Sequence, residues 1–223
     1  MELNIAEKFL LLAHHPTKGR FLIADVMINY GLIGALLLEL SAAGKLSVRN
    51  KELVLNIRHD SDPVLSEIIS TIGQATKPKK MKYWISKLSR KSNRFRKEIL
   101  QNLERKRLVR IKHKKFLGLI PYKRSYLTET KTRDKIIGEL KNVVFHPKEL
   151  TAEEGALLGL TVACKMYRII TTDPQELRTL KKKLKVMIKD MPLAEAVDET
   201  IKLVQAAIVA GIAASTAVTA AAH

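Results

Sequence analysis

Between Gly31 and Ile57 the chain reads GLIGALLLELSAAGKLSVRNKELVLNI, and its hydrophobic period changes once on the way. Leu32, Leu36, Leu40 and Ala43 recur at i, i+4, i+8 and i+11, and Ile33, Leu37 and Leu38 widen the stripe. That spacing predicts a buried helix from Leu32 to Ala43. Gly44 follows where a helix needs a left-handed residue to end on. Leu46, Val48, Leu53, Leu55 and Ile57 then alternate across a turn at Asn50-Lys51, the period of a hairpin. The same order recurs from Phe95 to Pro121, where Val109 and Ile111 are predicted to pair with Phe116, Leu117 and Leu119. Helix followed by wing has two uses. One is the winged helix of a nucleic-acid reader; the other is a structural unit in a mostly helical protein at a membrane surface.

The remaining segments read as helices. Asn4 with Glu7 forms a capping box before a helix carrying Ile5, Phe9, Leu12 and Ala13, which stops before Pro16. Arg20 to Tyr30 fits strand or helix. Asp62-Pro63 starts a helix with Val64, Leu65, Ile68, Ile69 and Ile72 inward. Lys77-Pro78-Lys79-Lys80 breaks the pattern before a short helix, Met81 to Leu88, with Trp84, Ile85 and Leu88 inward. Phe95 to Lys106 buries Phe95, Ile99 and Leu103, and a further helix runs from about Lys131 to Val144. Thr151 and Glu154 cap a helix predicted over Ala156 to Ile169, and Asp173-Pro174 starts one whose Leu177, Leu180, Leu184, Met187 and Met191 face inward. Pro192 opens the last helix. From Leu203 to Ala222 that helix has no charge and is long enough to span a bilayer, but its alanines, Gln205, Ser215, Thr216 and Thr219 read as a core helix of a bundle. The expected fold is mainly α: a compact bundle of amphipathic helices around a hydrophobic one, with small β-hairpins, forming one domain over residues 1–223.

Charge narrows the partner. The net charge is +18, and Lys77 to Arg124 holds 19 Lys and Arg against only Glu98 and Glu104, so this stretch carries nearly all of the excess. Charge concentrated in this way points to a polyanion, either nucleic acid or an anionic membrane surface. Arg90, Arg94 and Lys97 step by four and three, the spacing of one helical face, with Arg96 beside them. Arginine donates paired hydrogen bonds to phosphate, which makes these four residues the candidate headgroup site.

No catalytic pattern emerges. His14-His15, His59, His113, His146 and His223 have no Cys or carboxylate at metal-ligand spacing, and no glycine-rich phosphate loop or nucleophile elbow occurs. Cys164, the only cysteine, sits in an apolar run as a core residue. Neither a metal, a cofactor nor an enzymatic activity is predicted. With one cysteine and no charged-then-apolar leader at Met1, the expected location is cytoplasmic.

The segments FLLLAHHPTKG, GLIGALLLELSAAGKL, SDPVLSEII, YWISKL and RFRKEILQNLERKRLV, in that order, resemble the Golgi phosphoprotein 3 family. LGLIPYKRSYLT, EEGALLGLTVACKM and the Ala-rich terminal helix continue the resemblance over essentially the whole chain. It implies a peripheral membrane protein whose basic face binds phosphatidylinositol 4-phosphate, acting as a membrane adaptor; an adaptor that grips protein tails, with or without lipid, is a further reading. It also implies four headgroup positions. The family's tryptophan falls on Ala24, its arginine between the two glycines on Ile33, and its paired arginines on Asn93 and Arg96, so one of four is kept. The chain therefore reads as a prokaryote-like member that keeps the basic membrane-facing surface and part of the phosphoinositide pocket. The expectation is binding of anionic phospholipid through Arg90, Arg94, Arg96 and Lys97. A winged-helix nucleic-acid binder, using the Phe95 helix and the Lys112 to Lys115 hairpin, is the alternative. Oligomeric state stays open, with KFLGLIPY as a candidate surface for self-association.

Overall fold

The computed structural model describes residues 2–116, 119–146, 149–189 and 195–221. Its centre is α2 (Asp25–Ala42), whose buried residues Ile28, Leu32, Ile33, Gly34, Ala35, Leu37, Leu38 and Leu40 cover every side of the helix. Such a helix must be enclosed on all sides. Five helices do this: α1 (Ile5–Ala13), α4 (Met81–Ser89), α5 (Ser92–Arg105), α7 (Ala152–Ala163) and α10 (Glu195–Ala221). Outside them lie α3 (Pro63–Gly73), α6 (Lys131–Phe145), the short α8 (Tyr167–Ile170) and α9 (Pro174–Lys189). The mainly α fold with small hairpins is thus as expected. The enclosed position, however, belongs to α2. Helix α10 buries Val204 and Ile208 against Gly34 of α2 and Ile201 against Gly159 of α7, and leaves Val209 54% exposed.

Helix α2 starts seven residues before the expected Leu32. Ala24 gives it no side-chain cap, so no polar residue marks the start. It ends as expected. Gly44 is left-handed (φ +67°), the Lys45 amide donates to the Leu40 carbonyl at 2.8 Å, and the Gly44 amide to Ser41 at 2.9 Å. Two other helices end the same way without glycine. Arg107 (φ 59°) follows α5, with the Leu108 amide on the Leu103 carbonyl at 3.0 Å; Lys165 (φ 54°) follows α7, with the Met166 amide on Thr161 at 2.8 Å. The Lys165 stop corrects the helix expected to run to Ile169: α7 ends at Ala163, and α8 is separate.

Strands β1 (Leu46–Arg49) and β2 (Glu52–Leu55) pair antiparallel with Leu46 opposite Leu55 and Val48 opposite Leu53, around the expected Asn50-Lys51 turn. Both turn residues have positive φ (53° and 63°), the twist that suits a two-residue hairpin. Lys79 and Lys80, expected as a breaker, form a third strand, β3 (Lys79–Lys80), on β2. The second hairpin departs further from expectation. Strands β4 (Val109–Phe116) and β5 (Ile120–Leu127) pair Val109 with Leu127, Ile111 with Ser125 and Phe116 with Ile120. The expected partner Leu117 lies outside the described residues, as do Met191 and Pro192, and Leu119 is 83% exposed.

Two described helices, α2 and α10, are long and apolar enough to cross a membrane. Length and composition alone do not separate a span from a core helix, and α2 is enclosed by protein.

Candidate functional site

A cleft of about 650 Å³ opens where three elements meet: the segment leading into α2, the first turns of α5, and the base of the β4–β5 hairpin. Its cations are Arg20, Arg96, Lys97, Lys123 and Arg124, and its one carboxylate is Asp25. Phe21, Ile23, Leu100 and Ile111 supply apolar walls. Each wall has a local cause. Phe21 pairs with His14 in an isolated bridge, and the His14 ring meets Phe21 edge-on with centroids 5.2 Å apart, which turns the chain back beside α1 and presents Arg20. The His14 Nδ1–H donates to the His15 carbonyl at 3.0 Å, so Nε2 accepts from the Ser125 hydroxyl at 2.9 Å and fastens β5. Burial holds His14 below its ordinary pKa, in the neutral form this bonding needs. Gly19 lies against the Tyr126 ring so closely that a Cβ there would sit 2.6 Å from it.

Arg96 is the most constrained cation. Its Nη1 donates to Asp25 Oδ1 at 2.9 Å and its Nη2 to Asn93 Oδ1 at 2.8 Å, while the guanidinium lies 5.8 Å from the Phe21 ring centre. Its side chain is only 22% exposed, whereas that of Asp25 is 81% exposed. The guanidinium is therefore fixed by protein, and its carboxylate partner is open to exchange with solvent. Asp25 also occupies the first turn of α2, where the helix end favours negative charge. Beyond the cleft, the hairpin carries a ladder of cations and rings. Lys112 and Lys114 lie 5.5 and 5.6 Å from the Tyr126 ring, Arg124 lies 5.4 Å from Tyr122, and the Lys114 ammonium beside the Tyr126 phenol holds its pKa below the ordinary value.

The four expected site residues separate. Arg96 and Lys97 line the cleft. Arg94 points elsewhere, with Nη2 2.7 Å from Glu67 Oε2 and Nε 3.1 Å from Glu98 Oε1. Arg90 is the C-terminal cap of α4, so the chain breaks between it and α5, and the common helical face does not form. It lies on a separate basic surface with Lys80, Lys82 and Lys87. Of the positions carried over by resemblance, Ala24 and Asn93 line the cleft with Arg96, whereas Ile33 is wholly buried in the core. Arg20, Lys123 and Arg124 were not expected here; the His14–Phe21 bridge and the hairpin register bring them in, and no local spacing announces either.

Among the described residues no group of His, Cys, Asp and Glu could hold a metal ion. Cys164 is fully buried, and burial pushes its thiol up to about 12, far from a reactive thiolate.

The family model described as Golgi phosphoprotein 3 (GPP34) matches residues 5–204. A comparison with curated proteins finds no match.

Proposed function

The chain belongs to the Golgi phosphoprotein 3 family, and from that premise we propose that it docks peripherally on membranes by taking the phosphate of an anionic phospholipid headgroup into the α2–α5–hairpin cleft. The observation that carries this reading is the convergence of five cations from three separate elements on a cleft with one exposed carboxylate. Arg96, held from behind by Asn93 and Phe21, presents the paired donors; the phosphate displaces Asp25 from it. Lys97 and Lys123 act as point charges at the mouth, and Arg20 and Arg124 close the sides. Arg94 takes no part, because Glu67 and Glu98 already satisfy it.

In this reading residues 1–223 act as one domain that binds rather than catalyses. Phosphatidylinositol 4-phosphate is the headgroup to test first, and a protein tail held at the same membrane is the partner an adaptor needs. Each cation brought near an anionic surface contributes about 1 kcal/mol, so the cleft alone supports reversible docking.

Sedimentation with vesicles tests this. Neutral phosphatidylcholine vesicles, vesicles with phosphatidylserine or cardiolipin, and vesicles with phosphatidylinositol 4-phosphate are compared, with duplex DNA as competitor. Binding to anionic vesicles that weakens with salt and survives the DNA supports the reading. A preference for the phosphoinositide at physiological salt adds headgroup recognition. No vesicle binding together with tight DNA binding overturns it in favour of the winged-helix alternative.

A further inference from the structure

Six cations between Lys77 and Arg90 stand apart from the cleft: Lys77, Lys79, Lys80, Lys82, Lys87 and Arg90, all exposed. The chain contains no Asp or Glu between Glu67 and Glu98. The neighbouring cations take the carboxylates within reach, Lys91 and Arg94 both on Glu67 and Arg96 on Asp25. None of the six has an ion pair among the described residues, although Glu52 stands opposite Lys80 across the β2–β3 pair. Amid them lies one exposed ring. Tyr83 is 44% exposed, with the Lys79 and Lys87 ammonium groups each 5.7 Å from its centre; Lys87 also lies 5.3 Å from the ring of the buried Trp84. A shallow groove of about 540 Å³ runs along this face, bounded by Lys80, Lys82, Lys87 and Arg90.

We propose that the outer face of α4 is a second membrane contact, one that takes the surface of an anionic bilayer by charge without selecting a headgroup. Uncompensated like charges on one helix face repel one another and release that energy against a polyanionic plane. A tyrosine between lysines suits the boundary of such a plane, with the ring at headgroup depth and the flexible ammonium stems reaching phosphates on either side. The inference rests on the cleft being a lipid site. Arg90 ends the α4 face and Asn93, three residues on, lines the cleft, so the two surfaces meet at the α4–α5 turn. Docking at the cleft brings α4 to the same bilayer. Together the two contacts fix how the protein lies on the membrane, which one cleft alone leaves free to pivot.

The chain's single tryptophan makes this measurable, because Trp84 lies directly beneath the proposed contact. Energy transfer from Trp84 to a dansyl-labelled lipid is titrated with phosphatidylserine-containing vesicles for the full chain, for Lys82→Gln/Lys87→Gln, and for Lys182→Gln/Lys185→Gln. The last pair removes equal charge from the exposed side of α9. A water-soluble short-chain phosphatidylinositol 4-phosphate is titrated in parallel as a probe of the cleft. The expected result is a roughly ten-fold or greater loss of vesicle affinity for the α4 variant, well beyond that of the α9 control, with the soluble headgroup bound as by the full chain. Equal vesicle affinity for the α4 and α9 variants overturns the proposal while leaving the cleft reading intact. Failure of the unmodified chain to bind either the vesicles or the soluble headgroup overturns the cleft reading itself, and this proposal with it. A Trp84 response to single-stranded DNA or an acidic peptide that is stronger than the response to vesicles assigns the face to another polyanion and also overturns the proposal.

Discussion

Three residues after helices or in turns show how local conformation was chosen. Arg107 (φ 59°) and Lys51 (φ 63°) hold left-handed backbone that costs a residue with a Cβ about 1 kcal/mol, whereas Gly44 (φ +67°) holds it without that cost. Arg107→Gly is therefore expected to raise unfolding free energy by about 0.5–1 kcal/mol, and Gly44→Ala to lower it by about 1 kcal/mol, both read by urea denaturation. The buried titrations make a second prediction at this scale. Burial pushes the Glu39 carboxyl up to about 7 from its ordinary 4.5, aided by Asp62, Glu7 and Asp60 nearby. Folding then favours the protonated form, and stability falls as pH rises from 4.5 through about 7. Glu39→Gln should stabilise the protein by on the order of 2 kcal/mol at pH 8 and change little at pH 4.5. His14 acts in the opposite sense: held below 6.5 by burial, it lowers stability as pH falls below that value.

Among the elements, those with polar caps and clean apolar stripes were legible from sequence. The Asn4 and Thr151 capping boxes and the Asp62 cap all form, and Trp84, Phe95, Ile99 and Leu103 all face inward. What escaped had a physical reason. Ala24 is a helix start without a hydrogen bond to announce it, and Lys165 is a helix stop without glycine. Lys, Arg and Tyr side chains line one face of the β4–β5 ribbon, so it shows no hydrophobic alternation beyond its base. The site was half legible for the same kind of reason. Spacing grouped Arg90, Arg94 and Lys97, but the break after α4 and the carboxylates of Glu67 and Glu98 separate them. How closely α10 approaches α2 depends on glycine at crossings: a Cβ at Gly211 would lie 2.4 Å from the Tyr30 ring, and one at Gly34 2.6 Å from Ile208. Gly211→Ala should cost about 1–3 kcal/mol in thermal or urea unfolding, because the Tyr30 ring must give up its place and its contact with Ser215, 3.3 Å away.

Across the whole molecule, charge is unevenly divided along the chain. Outside Lys77 to Arg124 the chain is close to neutral, and several of its cations sit in structural pairs such as Lys45 with Asp60 and Lys141 with Glu176. Within the stretch, Arg94 and Lys91 are consumed by Glu67, while the cleft and the α4 face keep an excess that folding does not neutralise. The central claim, that Arg96 waits on Asp25 for a phosphate, is tested most directly by two substitutions with opposite expected signs. Binding of a water-soluble short-chain phosphatidylinositol 4-phosphate is measured by titration calorimetry at one salt concentration for the full chain, Arg96→Ala and Asp25→Asn. Arg96→Ala should weaken binding by about ten-fold or more, and Asp25→Asn should tighten it several-fold by removing the competing carboxylate. Unchanged affinity in both variants, or weaker binding in both, would contradict the account.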